Sequence, residues 1–524
     1  MVISSLAKVF PDKVPTPENF ELTAISGETV SFQIAFLANK GEYKYTIKAD
    51  DKLKISVYQV GFVPIEKKQG EDDFILNEGK PGLYPDALFP VDGRFEVTVE
   101  GHNSLWLDVV SDAPGDYEIS VELSGNAIYY NEKQKIRILD VKIPKSDLKF
   151  TNWFHCDCLA THYNVEVFSE EHWRILENFL RTAARHGMNM VLTPLFTPPL
   201  DTAVGGERPT VQLVDIVQND GKYSFSFEKL DRWVNLCKKC GIEFFELSHL
   251  FTQWGAKFCP KIMATVDGEY RRIFGWEDKS DCTDYRNFLN EFLPKLDNFI
   301  ISRNLSDKIY YHVSDEPGEN DIDNYKICKN QLKILEKYQH IDALSEREFY
   351  DMGLVKIPVP GETSADKFSD IDAEKWVYYC CGPGGGGYCN RFIHYPSIRT
   401  RALGLIMFKK GVSGFLHWGY NFWYSQYSLR QLDPYRNTTA DGNFPAGDGF
   451  DVYPGENGEA ICSIRIKQIR DMISDYNALF ALSEKCGRSD ALKFLPENLD
   501  YNCYTRNSED WIKMRNLINF ALKS

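Results

Sequence analysis

Two adjacent acids follow a short apolar segment near the middle of this 524-residue chain. Residues 309–313 are rich in β-branched and aromatic side chains, and Asp315, Glu316 and Pro317 follow closely. This pattern is typical of a buried parallel strand that ends before a proline. Two neighbouring carboxyls repel each other, so the pKa of one rises and the pair can divide acid and base roles. The sequence therefore predicts a glycosidase centre at Asp315 and Glu316, although such a pair is also typical of a solvated turn or a helix N-cap.

The elements around this pair must bring further functional groups to it. Between residues 148 and 482, eight candidate strands alternate with amphipathic helices, which predicts a (β/α)8 TIM barrel with its active site at the carboxyl ends of the strands. The fifth and sixth strand–helix units of this alternation are the shortest. The candidate strands are residues 150–154, 188–192, 242–247, 309–313, 341–344, 354–359, 376–380 and 414–418.

The chain is too long for one hydrophobic core, so we expect several domains. Residues 1–147 contain short alternating segments separated by Gly, Pro and Asp, which predicts a β-sandwich. Residues 148–482 form the predicted barrel. Residues 483–524 contain a further amphipathic segment, and we expect a C-terminal helical tail packed on the barrel.

Polar and aromatic residues follow several of the predicted strands. A sugar pocket combines aromatic walls with a few polar groups that bind hydroxyls. Aromatic strand residues are more often core, whereas Trp418 and Trp423 lie in a glycine-containing loop beyond a strand and are stronger candidates. The predicted substrate-binding residues are His155, Asp157, Arg208, His249, Trp254, Tyr379, Trp418, Tyr420, Asn421 and Trp423.

The cysteine and glycine patterns do not indicate a cofactor site. The pairs Cys156/Cys158 and Cys380/Cys381 lack the CxxC spacing of a zinc site. The glycine-rich residues 382–387 are not followed by the Lys-Ser/Thr of a phosphate-binding loop. We therefore expect neither a metal nor another cofactor.

The overall composition restricts the partners. A net charge of −15 argues against nucleic acid, whose phosphates would be repelled. No segment reaches the roughly 20 apolar residues of a membrane span. Residues 1–13 lack the pattern of a signal peptide, and the 13 scattered cysteines suit a reducing compartment. We therefore expect a protein of the cytoplasm, with export after signal removal left open and no prediction of oligomeric state. Its expected partner is the carbohydrate substrate of the predicted glycosidase centre.

Four segments together resemble glycoside hydrolase family 123 and its uncharacterised relatives. The resemblance spans about residues 150–482, and a sandwich domain before the barrel is the family's usual companion. The segments are Val313-Ser314-Asp315-Glu316-Pro317, the ten residues from Gly414 to Trp423, Gly447-Asp448-Gly449 with Tyr453-Pro454-Gly455, and Ser463-Ile464-Arg465 through Arg470-Asp471 to Asp475-Tyr476.

This resemblance implies a retaining β-N-acetylhexosaminidase, typically acting on β-linked N-acetylgalactosamine by substrate-assisted catalysis. Glu316 would be the general acid and later the general base. Asp315 would orient the 2-acetamido group, whose carbonyl oxygen attacks the anomeric carbon, so no carboxylate nucleophile is needed. The resemblance further implies that Trp418, Tyr420 and Trp423 wall the acetamido methyl and the sugar face, and that Asn421 and His249 bind hydroxyls.

Two other functions remain open from the sequence. The first is a glycosidase of a different β-glycoside, in which Asp315 is a supporting charge and Asp157 is the base or nucleophile. The second is a non-catalytic sugar-binding protein on a TIM barrel, because aromatic and hydroxyl-binding residues serve binding equally well. The presence of both carboxylates favours an enzyme.

Overall fold

The computed structural model describes residues 1–126, 128–203 and 205–524. Its N-terminal region is rich in β-sheet, because alternating apolar and polar residues there place every second side chain on a buried face. The strands of this region are β1 (Val2–Ser4), β2 (Leu22–Ile25), β3 (Thr29–Ala38), β4 (Gly41–Lys48), β5 (Lys54–Ile65), β6 (Gly82–Pro90), β7 (Arg94–Val97), β8 (Gly101–Val110), β9 (Gly115–Gly125) and β10 (Ile128–Leu139).

Further strands follow residue 148. They are β11 (Lys149–Asn152), β12 (Met190–Thr193), β13 (Asp215–Asn219), β14 (Lys222–Ser226), β15 (Phe244–Leu247), β16 (Ile262–Val266), β17 (Glu269–Phe274), β18 (Ile309–Tyr311), β19 (Gln339–Ala343), β20 (Ile357–Val359), β21 (Lys375–Tyr378), β22 (Val412–His417), β23 (Val452–Pro454) and β24 (Ala460–Ser463).

The N-terminal region consists of two sheets that share one core. The larger has seven strands in the order β1-β3-β8-β5-β6-β24-β23, and the smaller has five in the order β2-β10-β9-β4-β7. Apolar side chains of both sheets form one buried cluster, in which the Phe36 and Phe95 rings meet edge to face at 5.9 Å. Each sheet therefore covers the apolar face of the other.

Eight parallel strands form a nearly closed barrel in the order β20-β19-β18-β15-β12-β11-β22-β21. The two outer strands, β20 and β21, approach each other, and a single bridge between Gly361 and Tyr378 joins their ends. Each of the eight predicted strands overlaps one of these strands. The side chains that follow the strands are therefore gathered around one end of the barrel.

Helices cover the barrel, and two of them show why the sequence forms them there. Ser169 caps α2 by accepting a hydrogen bond from the His172 amide, and Gly241 ends α3 in a left-handed conformation. The helices are α1 (Cys156–Tyr163), α2 (Glu170–Arg185), α3 (Glu228–Cys240), α4 (Thr283–Ser302), α5 (Ile322–Gln331), α6 (Glu348–Asp351), α7 (Ser397–Arg401), α8 (Leu403–Lys410), α9 (Ile464–Cys486), α10 (Arg488–Leu492) and α11 (Ser508–Lys523).

The connections between barrel strands depart from a regular eightfold alternation. Between β20 and β21 the chain forms a short 3-10 turn, Ala365–Phe368, where a regular alternation would place an α-helix. The connections after β12 and β15 instead carry extra strands, β13, β14, β16 and β17, which form a separate four-stranded sheet. These longer connections bring additional loops to the carboxyl ends of the barrel strands.

The C-terminal part of the chain returns to the N-terminal sheets. The hairpin of β23 and β24 extends the seven-stranded sheet, where Cys462 pairs with Leu88 of β6. Helix α11 lies against α9 and β2, and its Trp511 indole donates to Asp475 of α9 at 3.0 Å. The larger sheet therefore contains residues from both sides of the predicted boundary at 147/148. Among the described residues, no helix has the length and apolarity needed to cross a bilayer.

Candidate active site

A cavity of about 190 Å³ lies at the carboxyl ends of the barrel strands. Residues at or shortly after the carboxyl ends of β11, β18, β21 and β22 line this cavity. The lining residues are Trp153, His155, Leu200, Asp201, Gln253, Trp254, Asp315, Glu316, Ala343, Tyr378, Cys380, Cys381, Leu416, Trp418, Gln426, Tyr427 and Phe444.

Asp315 and Glu316 lie side by side on the wall of this cavity. The chain turns after β18, and Glu316 has a φ of 45°, a left-handed conformation that is uncommon for residues other than glycine. Backbone bonds hold the turn: the Glu316 amide donates to the Ala343 carbonyl at 3.0 Å, and the Trp254 amide donates to the Asp315 carbonyl at 2.9 Å. Because the turn replaces regular strand alternation, both carboxyls reach the same cavity.

The two carboxyls differ in their surroundings. Burial and the neighbouring Glu316 carboxylate raise the pKa of Asp315 well above its usual value. The pair therefore retains a proton at pH values where isolated carboxyls are ionised. Glu316 is exposed to the cavity, and its Oε1 accepts a hydrogen bond of 2.7 Å from the Tyr378 hydroxyl. This arrangement can transfer a proton through Glu316 while Asp315 binds a polar group of the substrate.

We expect Tyr378→Phe to lower kcat/KM about tenfold on the substrate that the wild-type protein converts most efficiently. The substitution removes a hydrogen bond to an ionisable group, and such bonds contribute about 1.5–3 kcal/mol. Steady-state kinetics measure the effect, with Tyr129→Phe on the exposed face of β10 as the matched control. An unchanged kcat/KM in Tyr378→Phe would show that this hydroxyl has no part in the reaction.

A buried charged cluster lies inside the barrel below the pair. The His312 ring bridges two carboxylates, with Nε2 2.6 Å from Glu246 and Nδ1 3.1 Å from Asp342. Burial lowers the pKa of His312, but the hydrogen bonds to Asp342 and Glu246 dominate and raise it to about 10. His312 is therefore protonated at neutral pH. Asp342 also accepts a hydrogen bond from the Val313 amide at 3.2 Å, which fixes the backbone that leads to Asp315 and Glu316.

His155 lies on the cavity wall, and hydrogen bonds to buried residues fix its position. Its backbone amide donates to the Asn421 side chain at 2.9 Å, and its carbonyl accepts from the same side chain at 3.1 Å. Its Nε2 donates to the Trp418 carbonyl at 2.8 Å, because Nδ1 accepts from Arg208 at 3.0 Å. Burial and the Arg208 charge lower the pKa of His155 to about 3, so the ring is neutral. Two hydrogen bonds to Asp157 hold Arg208 itself.

The structure brings some of the predicted site residues to the cavity and places the others behind its wall. Those on the wall are Asp315, Glu316, His155, Trp254 and Trp418. Those behind it are Asp157, Arg208, His249, Tyr379, Tyr420, Asn421 and Trp423. We infer that the residues behind the wall position the wall residues and do not contact the substrate.

Tyr379 shows why strand alternation matters for the site. It is buried and packs edge to face on Phe415 at 4.9 Å, in the core between the barrel and its helices. The neighbouring Tyr378 lies on the opposite face of the strand and reaches the cavity. The tyrosine on the cavity wall is therefore Tyr378 and not the predicted Tyr379.

Three other predicted residues are enclosed by the protein. The Tyr420 hydroxyl donates to the Phe179 carbonyl at 3.0 Å, and the Trp423 indole donates to the Val452 carbonyl at 3.2 Å. The His249 ring stacks on His312 at 4.1 Å. The polar atoms of Tyr420 and Trp423 are therefore bound within the protein, His249 is buried, and Trp418 is the member of the predicted aromatic wall that lies on the cavity.

The structure also shows wall residues that the sequence did not single out. Trp153 lies in the first predicted strand, and its indole donates to Glu246 at 2.6 Å. Asp201 follows the proline-rich loop after β12, and Gln253 immediately precedes Trp254. An acid beside a stiff loop at a strand end is the one signal that could have identified Asp201.

Comparisons with known proteins agree with this architecture. Residues 153–482 match the family model described as glycoside hydrolase 123, catalytic domain. A solved structure of a family 123 glycoside hydrolase from Clostridium perfringens, determined to explain glycolipid glycan hydrolysis, is similar with a TM-score of 0.70 and 15% identity over 96% of this chain and 92% of that chain.

Weaker structural similarity extends to two other hydrolases. The β-glucuronidase of Parabacteroides merdae has a TM-score of 0.31 and 10% identity over 87% of this chain and 50% of its own. The β-glucuronidase of Bacteroides uniformis has a TM-score of 0.33 and 9% identity over 88% and 49%, respectively. No curated protein sequence matches the chain.

Proposed function

Because this chain belongs to glycoside hydrolase family 123 and is a glycoside hydrolase, we propose that it is a retaining β-N-acetylhexosaminidase that uses substrate-assisted catalysis. The proposed sugar is β-linked N-acetylgalactosamine, within an oligosaccharide or a glycoconjugate such as a glycolipid glycan. The observation that carries the proposal is the turn after β18, which directs the Asp315 and Glu316 carboxyls into one cavity.

In the proposed reaction, Glu316 first acts as the general acid. It protonates the glycosidic oxygen while the acetamido carbonyl oxygen of the substrate attacks the anomeric carbon, and the bond to the leaving group breaks. Glu316 then removes a proton from water, which opens the cyclic intermediate and restores the β configuration. Both steps use a carboxyl group that is exposed to the cavity, as Glu316 is.

Asp315 takes the second role because its carboxyl is less exposed than that of Glu316. An acetamido N–H that donates to Asp315 stabilises its ionised form, so the shared proton then resides on Glu316. As the acetamido oxygen attacks, positive charge develops on the acetamido group, and the nearby carboxylate stabilises it. The same contact orients the carbonyl oxygen for attack.

Trp418 supplies an apolar wall for the acetamido methyl or the sugar face. Its indole donates to Asp448 at 2.9 Å, and the rings of Phe422 and Phe444 lie 5.0 and 5.1 Å away. These contacts on its edge and sides fix the ring orientation. A rigid aromatic surface of this kind suits stacking against a sugar.

One observation favours a second function, the glycosidase without an acetamido requirement. Asp201 provides a third carboxyl on the cavity wall and could act as the base or nucleophile of a two-carboxylate mechanism. Asp157, the residue first considered for this role, is buried and bound to Arg208, so it is not available. In this alternative, Asp315 is a supporting charge.

The fold itself allows a finer description. We infer that the nearly closed barrel is a TIM barrel in which the sixth helix is reduced to a turn, and that the two N-terminal sheets form a β-sandwich. The parallel strand order, the site at the carboxyl ends and the core shared by the two sheets support this.

A panel of aryl β-glycosides distinguishes the two functions. We expect hydrolysis of the N-acetylgalactosaminide, with activity on the matched galactoside and glucoside at least about 100-fold lower, because these sugars lack the internal nucleophile. Replacing the acetamido group of the N-acetylgalactosaminide by trifluoroacetamido should lower kcat relative to the parent substrate, because fluorine makes the carbonyl oxygen a weaker nucleophile. Comparable rates on the plain galactoside would contradict the acetamido mechanism and favour the two-carboxylate alternative.

A further inference from the structure

The wall of the cavity carries three acids but, in the part of the chain that the structure describes, no lysine or arginine, and its one histidine, His155, is neutral. The acids are Asp201, Asp315 and Glu316. Arg208, which lies behind the wall, is buried and donates from its Nε and Nη2 to Asp157 and from its Nη1 to the Leu200 carbonyl. Within the described ranges, the cavity wall therefore offers no cation that could pair with a negatively charged substrate.

Asp201 is the acid on this wall that the proposed reaction does not use. Its backbone is fixed by two other loops: its amide donates to the Gln253 side chain at 2.8 Å, and its carbonyl accepts from the Ser428 hydroxyl at 2.8 Å. The residue has a φ of 44°, in the left-handed region. These contacts hold Asp201 in place through its main chain, and the Tyr427 backbone also hydrogen-bonds its carboxyl group.

The carboxyl group of Asp201 has an unused hydrogen-bonding position. Its Oδ2 is buried and has no hydrogen-bond partner among the described residues. Burial raises the pKa of Asp201 to about 6, so the group is ionised at neutral pH and can only accept hydrogen bonds. A sugar hydroxyl can donate to it. A sulfate or carboxylate substituent cannot donate, and its charge is repelled.

We propose that Asp201 is a specificity-determining residue that restricts this site to glycans whose cleaved sugar carries no anionic substituent. It accepts a hydrogen bond from a hydroxyl of that sugar and repels a sulfate or carboxylate placed there. The inference rests on the proposed glycoside hydrolysis but concerns the charge of the sugar, which the acetamido mechanism does not determine.

The test compares kcat/KM on an aryl β-N-acetylgalactosaminide and on its 4-sulfate and 6-sulfate. The wild-type protein should hydrolyse at least one sulfated sugar about 100-fold less efficiently than the parent. Asp201→Asn should raise the ratio of sulfated to parent kcat/KM about tenfold, since it removes one charge without changing side-chain size. The control is Asp220→Asn, an exposed aspartate with a similar φ of 49°, in which the ratio should not change.

A binding measurement separates this proposal from the proposed function. Trp153, Trp254 and Trp418 line the cavity, so tryptophan fluorescence can report binding of free N-acetylgalactosamine and its 6-sulfate even if no aryl glycoside is cleaved. Wild-type protein should prefer the neutral sugar, and Asp201→Asn should reduce this preference. Equal handling of neutral and sulfated sugars by the wild type overturns the proposal, as does an Asp201→Asn variant in which both rates fall but their ratio is unchanged.

Discussion

Glu316→Gln is expected to lower kcat/KM on a nitrophenyl β-N-acetylgalactosaminide by about 10³-fold while the protein remains folded. The amide is similar in size to the acid and can keep a hydrogen bond to Tyr378, but it cannot deliver a proton to the glycosidic oxygen. The loss should depend on the leaving group. A dinitrophenyl leaving group needs little protonation, so its release should be much less impaired than that of a poorer leaving group.

Two comparisons make this result specific to general acid catalysis. Glu319→Gln changes an exposed acid three residues further along the chain, and it should leave kcat/KM and its dependence on the leaving group unchanged. Circular dichroism and thermal unfolding of Glu316→Gln should match the wild type. A Glu316→Gln variant with full activity, or one that loses the same factor with every leaving group, would show that Glu316 is not the acid.

Asp315→Asn is expected to lower kcat by about 10²–10³-fold, with KM changed no more than about threefold. The amide can still accept a hydrogen bond from the acetamido N–H, so the substrate continues to bind. It lacks the negative charge that stabilises the acetamido group when positive charge develops there. Steady-state kinetics with the N-acetylgalactosaminide measure this split between kcat and KM, and unchanged kcat would remove the proposed role of Asp315.

The pH dependence provides an independent test of the pair. The raised pKa of Asp315 means that the pair releases its shared proton only at higher pH, so wild-type kcat/KM should fall as the pH rises through that range. In Asp315→Asn the repulsion that retains the proton is gone, and this alkaline limb should move to lower pH. A limb at the same pH in both proteins would mean that the two carboxyls do not share a proton.

The barrel strands, and the position of Asp315 and Glu316 at the end of one of them, could be predicted because both depend on local sequence. Residues 309–313 are rich in aromatic and β-branched side chains and precede two acids, and such a segment is stable as a buried strand in many contexts. The sixth strand–helix unit was harder to predict, because both a short loop and a helix can connect two parallel strands. The turn at Ala365–Phe368 depends on packing with neighbouring elements, and this packing cannot be read from a single sequence.

The walls of the site could be predicted less well, for two physical reasons. Residues 378 and 379 are both tyrosines, and the face to which each points depends on the register of β21 in the barrel. Asp201 reaches the cavity because loops from two other parts of the chain hold its backbone. Contacts between loops distant in sequence leave no periodic pattern, so sequence analysis identified polar strand ends but not which side chains line the cavity.

The hairpin of β23 and β24 has a consequence for the order in which the protein can be made. Its strand β24 pairs with β6, which ends at Pro90, whereas β24 begins at Ala460. At typical translation rates, the second of these strands leaves the ribosome about 20–70 s after the first. During that interval the edge of β6 has no partner strand and is open to pairing with other chains. Folding of the N-terminal sheet therefore finishes only after the whole barrel has been synthesised.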